Sequence, residues 1–355
     1  MDFNIDKIKF DLNDILIMPD AISKINSRKQ VNPYYNHLNL ICQNYLPIIA
    51  APMDTVIDKN NIDIFIKNKI PVCIPRGCNI DISKLMTTMP IFKSYSLDEF
   101  TTLYIRNKIT IDHKYILIDM ANGHMSKLLE IVKLAKDMYG NSIMLMVGNI
   151  ANPETYRILS EAGADYIRCG IGSGGACTTS SNVSIGYPMG SLIKECYDIS
   201  CTLSSPAKIV ADGGMKNFSD IIKVICLGAD YVMVGSIFNK SIESCGDTLL
   251  FKKIKIDKFP DIKHFLFKNK IPLYKKYRGM STKEVQQSWG KLKLTTSEGI
   301  VKYNKVEYTV EGWTNNFVDY LKSAMSYCNA KTLKDFVGKA KYNLISYQYF
   351  NRFNK

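Results

Sequence analysis

The sequence lacks any run of about 18 apolar residues, the length a membrane-spanning helix requires, so no membrane span is expected. Its first ten residues, Met1 to Phe10, mix Asp and Lys with short apolar residues and lack the apolar stretch of a secretory signal. A cytoplasmic protein is expected. Ten cysteines are present, but no Cys-x-x-Cys pair occurs, and His37, His113 and His264 show no metal-binding spacing. Cys73 and Cys226 sit inside apolar runs, as reduced core thiols do, so neither a disulfide framework nor a zinc site is supported. No Pro/Gly/Ser-rich linker and no internal repeat divides the 355 residues.

What is present is an ordinary globular composition, 46% apolar and 22% charged, with a formal net charge of +13. That charge has three readings: nucleic acid, small anionic ligands, or drift in a chain rich in Lys, Asn and Ile. The basic residues are dispersed rather than clustered, which argues against nucleic acid.

Eight short apolar runs recur: Leu46–Ala51, Pro71–Ile74, Pro90–Ser94, Tyr115–Asp119, Ile143–Val147, Tyr166–Cys169, Lys208–Asp212 and Tyr231–Gly235. Between most of them lie amphipathic patterns such as Met125–Lys136 and Ser219–Cys226. Continuous apolar strands alternating with helices predict a parallel sheet. Eight units predict a (β/α)₈ TIM barrel of α/β class. The expected organisation is one domain over 1–355. Residues 1–45 lead in, 46–240 carry the barrel strands, 241–312 form a flap and insertion, and 313–355 give a C-terminal helix and tail. Most of the runs end in, or just before, Asp, Gly or Asn, at the barrel face where binding groups collect.

The most informative stretch is Cys169-Gly-Ile-Gly-Ser-Gly-Gly-Ala-Cys-Thr-Thr179, directly after the sixth strand. Its glycines permit positive φ and close approach of the backbone to a ligand or ion. Cys177 then lies on a polar loop instead of in an apolar element, where a thiolate can be exposed and supported by backbone N–H groups. Thr178 and Thr179 add hydroxyls able to pass a proton. Two readings stand: a nucleophilic thiol, or a phosphate-binding glycine turn with an incidental cysteine. Asp212-Gly-Gly214 and Gly235-Ser236 follow the seventh and eighth strands, where such barrels commonly bind phosphate. Asp212 disfavours phosphate and suits ribose hydroxyls. Together these features predict a nucleoside monophosphate beside a reactive thiol.

Over nearly its whole length the chain resembles the IMP dehydrogenase/GMP reductase family. The motifs that carry the resemblance are Phe10-Asp-Leu-Asn-Asp-Ile-Leu16, Ala50-Ala-Pro-Met-Asp-Thr-Val56, Gly170 to Thr179, Ala211-Asp-Gly-Gly214, Val232-Met-Val-Gly-Ser236 and Tyr277-Arg-Gly-Met280. The resemblance implies a thiolate that adds to C2 of a purine nucleotide. In the reductase branch the C2 amine leaves as ammonia and hydride from NADPH turns GMP into IMP. In the dehydrogenase branch hydride passes from IMP to NAD and water releases XMP.

Four features favour the reductase branch. No inserted pair of regulatory domains follows the second strand. Between Met280 and Ser297 lie sixteen residues without the Arg-Tyr pair that activates water in the dehydrogenase flap; Arg278 precedes it. Asp119-Met-Ala-Asn-Gly123 is similar to a reductase segment. So are Thr296-Ser-Glu-Gly299, Gly186-Tyr-Pro188 and Ser323-Ala-Met-Ser-Tyr327. Two alternatives remain: a dehydrogenase without regulatory domains, and an inactive nucleotide-binding regulator.

By resemblance, Cys177 is the nucleophile and Thr179 with Glu298 handles the proton of the departing ammonia. Asp212, Gly213, Gly214, Gly235, Ser236, Gly279, Met280, Ser281, Ser297 and Gly299 hold the nucleotide. Asp119, Met120, Ala121, Ser323 and Ser326 meet the cofactor, with Arg76 a further contact to its phosphate. Carbonyls of Gly172, Gly174 and Cys177 bind a monovalent cation, potassium. A homotetramer is implied. Gly175 replaces the serine usual before the cysteine, so a phosphate contact is lost there. Ser180 and Ile74-Pro-Arg-Gly77 also depart from the pattern, and Val234-Gly-Ser236 and Arg278 look more like the dehydrogenase. His124 is open between a cofactor contact and a solvated loop residue. The aromatic tail, Tyr342 to Phe353, is expected to serve packing or subunit contact.

Overall fold

The structure is a computed structural model and describes residues 8–35, 44–85, 89–280, 282–288, 299–339 and 341–352. Its strands are β1 (Ile15–Ile17), β2 (Ile48–Ala50), β3 (Val72–Ile74), β4 (Ile91–Tyr95), β5 (Tyr115–Asp119), β6 (Met144–Ile150), β7 (Tyr166–Cys169), β8 (Lys208–Asp212), β9 (Tyr231–Val234), β10 (Thr248–Leu250), β11 (Ile254–Lys255), β12 (Leu273–Arg278), β13 (Val301–Lys305) and β14 (Tyr342–Leu344). Strands β2 to β9 pair in parallel, in chain order, and β9 closes on β2 with Ile48 opposite Val232. The eight runs seen in the sequence are these eight strands, and the protein is a (β/α)₈ barrel.

Alternation along each strand builds two cores. Residues pointing outward, such as Ile48, Val72, Ile116, Val147, Ile167, Ile209 and Val232, pack under the helices. Residues pointing inward, among them Ile49, Cys73, Phe92, Leu117, Met146, Tyr166, Val210 and Met233, fill the barrel. Such an interior is a packed core rather than a pore. At its lower end Tyr35, Tyr45, Tyr166 and Tyr231 stack with ring centroids 5.1 to 6.4 Å apart.

The helices start where their caps dictate. Asn152 caps the helix Pro153–Glu161, with Pro153 in its first turn, and Asn217 caps Phe218–Leu227. The strand β6 runs three residues beyond its apolar run, through Gly148-Asn149-Ile150, and shifts register against β7 there. Gly148 has φ +138°, and a Cβ on it would come within 2.6 Å of the Arg168 carbonyl oxygen. Only glycine permits that approach.

After the barrel, β10 to β13 form an antiparallel sheet in the order β11-β10-β12-β13. Its β12–β13 pair leans over the barrel mouth. Strand β1 pairs antiparallel with β14, and Phe10 stacks on Tyr342 at 4.9 Å, so part of the aromatic tail serves packing within the chain. Among the described residues no helix is long and apolar enough to cross a membrane.

Candidate active site

A cleft of about 450 Å³ opens at the C-terminal ends of the barrel strands. Its floor is set by strand parity. Leu117, Tyr166 and Val210 point into the barrel, so the residues two further on, Asp119, Arg168 and Asp212, point inward one layer higher. Arg168 is buried and bridges the two acids. Its Nη1 donates to Asp119 Oδ1 at 2.5 Å, and its Nη2 and Nε donate to Asp212 Oδ2 at 2.7 and 3.2 Å. Burial opposes its charge, but Asp212 and Asp119 outweigh burial and hold its pKa above the usual arginine value. Asn149 Nδ2 donates to the same Asp212 oxygen at 2.7 Å. Asp212 Oδ1 has no partner among the described residues, so it remains an acceptor for hydroxyl donors in the cleft. Arg76 Nε lies 3.8 Å from Asp119 Oδ2 at the far end.

The glycine loop rises from this floor. Gly170 has φ +133°, and a Cβ there would meet the Asp212 carbonyl oxygen at 2.3 Å. The loop then turns through a Cys177 N–H to Gly174 carbonyl bond of 2.9 Å. Cys177 is exposed, and its sulfur lies 3.2 Å from Thr179 Oγ1. A sulfur at the cleft surface with a hydroxyl in reach can attack a bound electrophile and exchange a proton with it.

The β12–β13 hairpin packs against the same loop. Cys177 pairs antiparallel with Gly299, and Ile300 N–H donates to the Ala176 carbonyl at 3.0 Å. A Cβ on Gly279 would lie 2.7 Å from that carbonyl oxygen, so the approach needs a glycine. Tyr277 is buried beneath, its hydroxyl 3.4 Å from Met53 Sδ. Burial raises its pKa, and Asp212 and Cys177 add to the rise. Arg278 on the same strand turns away from the cleft, donating to Asp54 and, at 3.1 Å, to Glu284.

Most of the residues singled out in the sequence meet here. Arg76, Asp119, Met120, Ala121, Gly172, Gly174, Cys177, Thr179, Asp212, Gly213, Gly214, Gly235, Ser236, Gly279 and Met280 all line the cleft. Glu298, Ser281 and Ser297 lie outside the described residues. Ser323 and Ser326 are not brought to the cleft. They sit on the helix Val310–Tyr327, where Ser326 Oγ bonds the Ser323 carbonyl at 2.7 Å and Ser23 Oγ bonds the Ser326 carbonyl. His124 accepts the Ala151 N–H at Nε2, 3.0 Å away, and contacts Thr155, and burial lowers its pKa. It is a neutral brace for the loop after β6.

Sequence reasoning missed Arg168 and Lys302, and took Asn149 only as a strand-end residue without a role. Arg168 carried a readable signal, a charge at an inward position of an apolar strand. Lys302 carried none, because its place depends on the register of β13 with β12.

Comparison with known proteins agrees with this geometry. The model of the "IMP dehydrogenase / GMP reductase domain" matches residues 105–351. The chain is similar to a GMP reductase of Caenorhabditis elegans, 28% identical over 96% of this chain and 93% of that protein. It is 30% identical to a GMP reductase of Buchnera aphidicola subsp. Baizongia pistaciae over 96% of this chain and 95% of that one. An inosine-5'-monophosphate dehydrogenase of Chlorobaculum parvum is 31% identical over 62% of this chain and 43% of its own length. With a (β/α)₈ barrel, an exposed cysteine on a glycine loop at its mouth, and a family model spanning most of the chain, the protein belongs to the IMP dehydrogenase/GMP reductase family of oxidoreductases.

Proposed function

We propose that the protein converts GMP to IMP and ammonia at the expense of NADPH. The observation that carries this reading is the Cys177 sulfur, exposed in the cleft with Thr179 Oγ1 at 3.2 Å. The sulfur adds as thiolate to C2 of the purine, and the C2 amine takes up a proton and departs as ammonia. Thr179, with Glu298, relays that proton. Asp212, held by Arg168 and Asn149, accepts the ribose hydroxyls, and the glycine turns and Ser236 take the phosphate.

The far end of the cleft, with Asp119, Met120, Ala121 and Arg76, offers a cation and backbone groups that fit a dinucleotide. NADPH bound there would supply a hydride to C2, after which the C2–sulfur bond would break to release IMP and return Cys177 as thiolate. Ser323 and Ser326 lie outside the cleft, so their part in cofactor binding calls for a neighbouring copy of the chain, in keeping with a homotetramer. Carbonyls of Gly172, Gly174 and Cys177 would hold potassium. The donor set, neutral oxygens on a glycine turn, suits an alkali cation, and the Gly174 oxygen keeps one lone pair after accepting the Cys177 N–H.

The sixteen residues between Met280 and Ser297 hold no Arg-Tyr pair, which supports the reductase over the dehydrogenase, and the arginine that precedes them, Arg278, is committed elsewhere. Its guanidinium is engaged by Asp54 and Glu284, away from Cys177, and is in no position to activate water at the purine. The test is direct. GMP with NADPH should lower absorbance at the nicotinamide band. Growth of that band with IMP and NAD instead would make the enzyme a dehydrogenase. Failure of both pairs would leave the inactive regulator. Cys177→Ala should abolish turnover and still bind GMP.

A further inference from the structure

Lys302 of β13 pairs in register with Tyr277 of β12. Partners across an antiparallel pair stand side by side on one face. The lysine therefore follows the buried tyrosine toward the cleft, and its Nζ sits over the Tyr277 ring, 5.4 Å from the centroid. The ammonium reaches the cysteine loop. It lies 3.1 Å from the point a Cβ on Gly175 would occupy, and that point is 3.8 Å from both Cβ and Oγ of Ser236. A cation, a residue without a side chain and a serine hydroxyl thus share one corner.

That corner is built for an anion. Lys302 is half-buried, burial pushes its pKa down, and Lys240 pushes it the same way. No carboxylate among the described residues offsets either effect. A desolvated cation without a counter-ion is costly, and a bound anion relieves that cost. The N–H groups of Gly174, Gly175 and Gly214 find no acceptor among the described residues. Gly213 and Gly214 have φ of +81° and +89°, and turns of this kind form anion-binding concavities. The acids of the cleft floor are tied to Arg168.

We propose that Lys302 supplies the cationic contact to the phosphate monoester of the substrate, through the space that a side chain at position 175 would fill. This rests on the reading of the cleft as a GMP site and names the group that selects the phosphorylated nucleoside. The lysine enters from a strand outside the barrel, so the hairpin that covers the cysteine loop also carries the counter-charge.

The test compares wild type, Lys302→Ala and Lys302→Arg with GMP and with guanosine, after melting curves show the three fold alike. In Lys302→Ala the ratio of kcat/KM for GMP to that for guanosine should fall about tenfold or more, mostly through a higher KM for GMP. Lys302→Arg should keep most of the preference. An unchanged ratio in Lys302→Ala overturns the proposal. So does an equal loss for both substrates, which would mean that the lysine only supports the hairpin. Wild-type protein inactive on GMP would sink the reductase reading instead, and calorimetric GMP affinity of wild type against Lys302→Ala would then still decide the contact.

Discussion

Replacing Arg168 by methionine removes the charge that holds the cleft floor together. The stem volume is nearly kept, so the cavity term is small. What is lost are three charge-assisted contacts: one to Asp119 at 2.5 Å and two to Asp212 at 2.7 and 3.2 Å. The three side chains are only 8%, 14% and 15% exposed. Two carboxylates then face one inward layer without their shared cation. Breaking a buried pair by removing one partner costs about 3 to 5 kcal/mol. The open cleft admits some water, which places the expectation at about 3 kcal/mol. Urea unfolding reads it. Arg168→Lys keeps the charge but cannot serve both acids in the same fork geometry, and should lose about 1.5 kcal/mol. The sharper test is a double-mutant cycle. Asp119→Asn alone should destabilise, whereas in the Arg168→Met background it removes a carboxylate that faces Asp212 with only the longer Arg76 pair left, and should restore stability. GMP affinity should fall in Arg168→Met, because Asp212 loses the clamp that aims its free oxygen. A loss below about 1 kcal/mol, or an Asp119→Asn effect of the same sign in both backgrounds, would refute the account of Arg168 as the shared counter-ion.

Other outcomes follow from single positions. Gly170→Ala places a Cβ 2.3 Å from the Asp212 carbonyl oxygen at φ +133°, and should cost about 2 kcal/mol or more. Gly174→Ala meets only the Cys177 Cβ, at 3.6 Å, and should fold normally; circular-dichroism melts of the two compare them. Lys275 is buried, donating to the carbonyls of Ser244 and Gly246 at 2.5 and 3.1 Å, and burial lowers its pKa to about 8. Its folded value lies below the unfolded 10.5, so the unfolded state binds more protons between the two. Stability should therefore rise with pH across that window, by about 2 kcal/mol between roughly pH 7.5 and 9.5, and Lys275→Met should lack the rise in denaturant midpoints. Trapping during turnover should leave a purine adduct on Cys177 by mass spectrometry, and its absence under every quench condition would count against the covalent route.

The barrel was legible because its signal is local. Each apolar run such as Tyr115–Asp119 is short, bounded by turn residues and flanked by amphipathic segments, and a parallel strand buried on both faces has no other way to appear. The strand-end glycines and acids were legible for the same reason: each follows its own strand. Ser323 and Ser326 were named from resemblance, and the chain folds them onto a helix that does not line the cleft, since a motif carries no information about which surface its helix presents. Asp54, read as part of Ala50–Val56 and as the acid just past the first strand, holds Arg278 and so anchors the covering hairpin.

Two residues that shape the electrostatics were missed for different reasons, Arg168 although its charge at an inward strand position was readable. Arg168 occupies a strand whose neighbours are apolar, and its role depends on strand parity bringing Asp119 and Asp212, 49 and 44 residues away, into the same layer. Lys302 depends on the register of a hairpin that closes around a long intervening segment. Placed together, they divide the cleft by charge. On the floor, acids are fixed by Arg168 and leave an acceptor, Asp212 Oδ1, for hydroxyl donors. At the covering hairpin, an ammonium with no carboxylate partner among the described residues and main-chain N–H groups with no acceptor among them leave donors for an anion. On the proposed reading, a ligand matching both carries its hydroxyls on a sugar that joins a phosphate on one side to a flat electrophile on the other, the electrophile lying over the Cys177 sulfur. A nucleoside monophosphate meets that description, and the division explains why the chain tolerates a glycine at 175: the positive charge that would crowd a larger residue there arrives from another strand.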